Sequence, residues 1–201
     1  MTSSFITLVQ SLGLAYTAGL SPYATATLVG LMERAGWIGP LPGALGVLAN
    51  PLLLGVCGTL AVVEFAATLF PGIATAWESV HTAIRPPAAV ALAITTAWHA
   101  DPNIIALAGV LGGGVAFATH ATKLGLRVAV DTSPEPVSNG VMNVTELGII
   151  ASLTYFVWNH PIVTLALALV LLVAAMLLLR LAWRFLKRVF RVRLPRTTSE
   201  P

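Results

Sequence analysis

Charged side chains are scarce in this sequence, so their spacing carries information. His120, Lys123 and Arg127 stand three and then four residues apart, which puts them on one face of a helix. Asp131, Ser133 and Glu135 follow closely. Such a set can grip a phosphate or carboxylate, and it equally fits an anchor among lipid headgroups, the reading preferred for Arg127. Glu64 lies within an apolar run, where a carboxylate at a helix centre costs about 2.5–3.5 kcal/mol on insertion scales. It is either a proton or cation site or a helix-to-helix hydrogen-bonding group. Glu78 and His81 have the Glu-x-x-His spacing that projects two ligands inward in di-iron bundles. A second such pair is missing, so no metal and no cofactor are expected.

The elements that must hold these groups are membrane helices. Of 201 residues, 57% are hydrophobic and only 9% charged, against about 25% charged in soluble domains. An all-α, polytopic helix bundle of one domain is expected over residues 1–190, followed by a basic tail at 191–201. Arg180, Arg184, Lys187, Arg188, Arg191, Arg193 and Arg196 hold seven of the eleven Lys and Arg, all after the last apolar run. Directly behind a membrane span they read as a cytoplasmic stop that touches anionic headgroups, not as a nucleic-acid site. The single Cys57 excludes an intrachain disulfide and a cysteine metal cluster. "YATA" at Tyr23 faintly resembles a signal-peptidase site, but no basic segment precedes the apolar stretch, so no cleaved signal is expected.

Along the chain, about six main spans emerge. Phe5 to Met32 is apolar but interrupted by "GLSP"; as one straight helix it would be about 42 Å long, too long for a ~30 Å hydrocarbon core. Pro22 forbids a continuous hydrogen-bond ladder, which predicts a break at Ser21-Pro22 or a re-entrant hairpin. The Gly- and Pro-dense stretch 36–51 reads as a loop with a short helical turn. Spans are expected from Pro51 to Phe70, over a short segment following Pro86-Pro87, from Ile104 to Val130, Gly140 to Trp158 and Ile162 to Leu179. In residues 73–85, Ile73, Trp77, Val80 and Ile84 share one face, while Glu78, His81, Thr82 and Arg85 share another; that pattern predicts an amphipathic helix lying at the interface. "GVLGGG" at 109–114 predicts close helix approach. Alternating spans from a cytoplasmic C-terminus put Arg85, Lys123 and Arg127 inside and Asp101 outside, consistent with a bacterial inner-membrane protein.

"SLGLAYTAGLSP" (11–22) and "KLGLRVAVDTSP" (123–134) share five of twelve positions. They suggest an internal repeat with halves 5–70 and 104–182 joined by 73–100. Matched interruptions in two halves point to a transporter binding site. Ser21 and Ser133 would cap the helices that follow, leaving backbone N–H groups to greet an anion; Ser-Pro is equally an ordinary helix start.

"SPYATAT", "VEFAATLFPG", "AWESVHTAIRP", "HATKLGLR" and "TSPEPVSN" together resemble a family of small bacterial multi-pass membrane proteins known only as a domain of unknown function, of the DUF4126 type. The resemblance covers roughly residues 10 to 160. It implies a multi-pass membrane fold and supplies no activity. Relatives often have Asn-Ala before the tyrosine where this chain has Ser21-Pro22, and a charged pair where Ala67 and Thr68 stand.

The expected function is a small, non-enzymatic transporter or channel-like protein for an anionic or proton-coupled solute, working as a homo-oligomer. Candidate substrate- or ion-binding residues are Ser21, Tyr23, Glu64, Glu78, His81, Arg85, His120, Lys123, Ser133 and Glu135. The alternatives are a non-transporting scaffold or accessory subunit, and a lipid-headgroup enzyme using His81 with Glu78. Gly-x-Ser-x-Gly, His-Glu-x-x-His and a phosphate-binding loop are absent from the sequence.

Overall fold

A computed structural model describes residues 2–131 and 136–192. Its order is α1 (Thr2–Leu20), α2 (Pro22–Arg34), a 3-10 segment (Gly43–Ala49), α3 (Pro51–Ala67), α4 (Ile73–His81), α5 (Arg85–Thr96), α6 (Pro102–Val130), α7 (Pro136–Asn159) and α8 (Pro161–Val192). The described residues contain helices and connecting turns but no strand. Prolines open α2, α3 and α6, where a missing N–H costs nothing. Before each of them Ser21, Asn50 or Asp101 accepts a hydrogen bond from a backbone N–H of the first turn.

Among the described residues three helices are long and apolar enough to cross a membrane: Pro102–Val130, Val137–Asn159 and Pro161–Leu181. The 3-10 segment and α3 together qualify as a fourth, bent by 68° at their junction. Val62, Val110 and Leu169 are more than 60% exposed, as side chains facing lipid would be. At 12 residues α5 is about 18 Å long, short for a crossing on its own. α8 runs unbroken from Pro161 through Arg180 and Arg184, beyond the expected end at Leu179; most of the basic tail lies outside the described residues.

Helix α1 sits at the centre, packed against α5, α6, α7 and α8. Its contact with α5 and α6 is built from alanines: Ala15, Ala18, Ala89, Ala93, Ala97, Ala108 and Ala116 form one buried cluster. Small side chains let backbones approach, which matters because lipid is as apolar as the helices it surrounds. Gly19 shows how close: a Cβ built there would lie 2.7 Å from the Ala116 carbonyl oxygen. The predicted approach at the glycine-rich stretch is found between α6 and α5, where Gly109, Gly112 and Gly113 meet Ile94, Ala93 and Val90. A second cluster, including Leu14, Val29, Met32, Leu45 and Val157, packs the α2 end of the molecule.

The expected helix over 73–85 is two pieces. α4 stops at His81, and after a turn Arg85 opens α5. Its polar face is also turned the other way from an interfacial helix. Glu78 and Arg85 are fully buried and His81 nearly so, while Ile73, Val80 and Ile84 point outward. Ionisable groups in such surroundings gain by facing one another, leaving the apolar stripe to the exterior.

Candidate functional site

Several of the buried charged groups converge on the break between α1 and α2. Ser21 has extended backbone (φ −152°, ψ 111°), so the helix stops for one residue before Pro22 restarts it. A helix end leaves carbonyls without partners, and a helix start leaves N–H groups and a partial positive charge. The chain's own charges occupy both sides. The Leu20 carbonyl accepts from Lys123 Nζ at 2.7 Å. Ser21 Oγ caps Ala24 N at 3.1 Å and donates to Glu64 Oε2 at 2.5 Å. The anion expected at the restarted helix is therefore a carboxylate of this protein.

Arg85, from the first residue of α5, lies between two carboxylates. It donates through Nη2 to Glu64 and through both terminal nitrogens to Glu78. Its Nη1 also lies 3.1 Å from His120 Nδ1. Guanidinium nitrogens only donate, so Nδ1 of the neutral ring accepts and Nε2 carries the proton toward Thr82 Oγ1 at 2.8 Å. Lys123 continues the chain: Nζ stands 3.0 Å from Glu78, 3.5 Å from Glu64 and 2.5 Å from Glu146.

One turn further along α6, Arg127 donates to Asn139 at 2.9 Å and Asn143 at 2.8 Å and lies 3.6 Å from Glu146. The headgroup-anchor reading of Arg127 is thus overturned: the side chain is fully buried, because α7 supplies two amide oxygens and a carboxylate where lipid would offer nothing. At the end of α6, Asp131 accepts from Asn139 through one oxygen and from Gly72 N, Thr75 N and Thr75 Oγ1 through the other. Partial burial pushes the Asp131 carboxyl up, but these hydrogen bonds outweigh it and hold it below the usual value of 3.8.

Three carboxylates (Glu64, Glu78, Glu146) thus face three cationic groups (Arg85, Lys123, Arg127) in one electrically balanced cluster. Buried charges survive only when paired and hydrogen-bonded. The cluster borders two cavities. One, of about 180 Å³, is lined by Ser21, Glu64, Thr68, Lys123, Asn143 and Glu146 together with apolar residues of α2, α3 and α7. The other, of about 270 Å³, lies among α1, α6, α7 and α8 and is mainly apolar, with Tyr16, Lys123 and Glu146 on its wall. Lys123 and Glu146 belong to both.

Of the ten candidates, the structure brings Ser21, Glu64, Glu78, Arg85, His120 and Lys123 together directly. His81 and Tyr23 stand at the edge: His81 Nδ1 donates to the Trp77 carbonyl at 2.8 Å, its ring stacks on Trp77, and Nε2 is 3.4 Å from the Tyr23 hydroxyl. Ser133 and Glu135, and with them the second Ser-Pro break, lie outside the described residues. Sequence reasoning missed Glu146, Asn139 and Asn143, although a signal was present: positions 139, 143 and 146 fall on one face of an apolar helix. Among the described residues no group of three His, Cys, Asp or Glu side chains is arranged to hold a metal ion.

No curated protein and no solved structure matches the chain. A family model described as "Domain of unknown function (DUF4126)" matches residues 8–181. That match spans the break at Ser21 and every helix that contributes to the ionic cluster, and the chain belongs to this family.

Proposed function

We propose that this protein is a small membrane transporter whose solute movement is coupled to protons. The observation that carries the reading is the balanced ionic cluster at a broken helix, bordered by two cavities. Intramembrane ionisable groups that face a cavity are, by default, candidates for ion and proton paths. Discontinuous helices are the usual frame for such sites. Coupling to protons is preferred over an anionic solute, because Glu64 occupies the restarted helix and carboxylates engage both Arg85 and Lys123. The larger cavity, mainly apolar with a charged wall, suits a mostly apolar solute.

The reading includes about six crossings with α1 and α2 as one interrupted span, two repeated halves, and a homo-oligomer in a bacterial inner membrane. The basic end of α8 favours a cytoplasmic C-terminus that touches anionic headgroups. It assigns the chain no enzymatic activity. The test is reconstitution into liposomes carrying a pH-sensitive dye, with an imposed pH gradient or potential. Protein-dependent proton movement, altered by a solute, is expected; its absence across a broad panel of solutes would count decisively against transport.

A scaffold role has its own supporting observation. Arg127 binds the Thr68 carbonyl just past α3 and Asn139 of α7, and Asp131 binds Thr75 of α4, which is what a purely architectural network would do. In that case substitutions in the cluster change stability and partner binding while no flux is detected.

A further inference from the structure

We propose that Glu146 is the group in this cluster that exchanges a proton between the two cavities. This rests on the proton-coupled reading above and assigns the step within it. The three carboxylates are held unequally. Glu78 is bound at both oxygens by Arg85 and also faces Lys123. Glu64 is held by Arg85 at one oxygen and by Ser21 at the other. Glu146 has one close partner, Lys123, and a looser approach to Arg127 at 3.6 Å. It is the least buried of the three, at 13% of its side chain, and the one carboxylate that borders both cavities.

Protonation is also easiest to accommodate there. When a Glu146 oxygen takes a proton from hydronium in one cavity, an O–H bond forms and the carboxylate loses its charge. The Lys123 ammonium then keeps Glu78 at 3.0 Å and the Leu20 carbonyl at 2.7 Å, while Arg127 gives up the charge of Glu146 and keeps its hydrogen bonds to Asn139 and Asn143. Release breaks the same O–H bond toward water in the other cavity, and the ion pair closes again. Protonating Glu78 instead would weaken the two-oxygen grip of Arg85 and the contact with Lys123 together, although Arg85 keeps Glu64 and Lys123 keeps Glu146. The charged groups that set the pH of exchange are Lys123 and Arg127 from α6, Glu64 from α3, Glu78 from α4 and Arg85 from α5; Tyr16 of α1 shares the larger cavity.

Two measurements on the full chain test this. In liposomes, Glu146→Gln is expected to lower proton movement at least tenfold, while Glu146→Asp retains it with a displaced pH profile. On the wild-type protein, a hydrophobic carbodiimide, which reacts with protonated carboxyl groups, is expected to label Glu146 ahead of Glu64 and Glu78, faster as pH falls, with the site read by mass spectrometry. Wild-type proton movement that Glu146→Gln leaves unchanged overturns the assignment but not the transport reading. Wild-type protein without proton movement overturns the transport reading. Labelling at Glu64 or Glu78 in preference to Glu146 overturns the assignment whatever the variants do, including a variant that fails to fold.

Discussion

Replacing Arg85 by Met removes one cation from a balanced cluster and keeps most of the side chain's volume. Arg85 is fully buried and bonded to both Glu64 and Glu78, so its loss leaves a net negative charge with no solvent to take it up. Breaking a buried ion pair from one side costs about 3–5 kcal/mol. Glu64 retains Ser21 and Glu78 retains Lys123, which places the expected loss toward the lower end, about 3 kcal/mol. Removing Glu78's charge in the same molecule, as Arg85→Met/Glu78→Gln, restores neutrality. The double variant should therefore be more stable than the sum of the two single losses predicts, by roughly 1–3 kcal/mol of coupling. Equilibrium unfolding in mixed detergent micelles measures all four corners of the cycle. A loss below about 1 kcal/mol for Arg85→Met, or strict additivity in the cycle, refutes the idea that charge balance holds this site together.

Three further outcomes follow from local geometry. Ser21→Ala removes the cap of α2 and the hydroxyl bonded to Glu64, and should cost about 1–2 kcal/mol in the same unfolding measurement. Gly19→Ala forces a methyl against the Ala116 backbone and should destabilise by about 1–3 kcal/mol, whereas Gly114→Ala, with open space around it, should be neutral or stabilising. The Asp131 carboxyl is depressed in the folded chain, so its contribution is present above pH 3.8 and disappears as pH falls through its lower folded value. Thermal melts between pH 6 and 3 should show a steeper fall for wild type than for Asp131→Asn.

The break at Ser21-Pro22 was legible because proline's missing N–H and the length of the apolar stretch leave little choice. The face shared by His120, Lys123 and Arg127 was legible for the same reason: helical spacing fixes it before any tertiary contact forms. What those faces meet was not legible. Arg127 next to a presumed inner leaflet looks like an anchor until α7 presents Asn139 and Asn143. The polar side of α4 looks solvent-facing under the rule for soluble amphipathic helices, but the charged residues of three other helices were waiting for it. Glu64 and Glu146 are isolated in sequence, and only folding reveals that they share Lys123.

Among its 17 residues, α3 buries only Glu64. Its other side chains gain little from leaving lipid, since hydrocarbon tails offer comparable contacts. The rotational setting of this rod about its own axis is consequently held in large part by one carboxylate gripping Arg85 and Ser21, helped by the packing of Leu53 and Cys57 and by Asn143 on the Phe65 carbonyl. Neutralise that grip and the rod loses its main polar hold on rotation, and with it the setting of one wall of the smaller chamber.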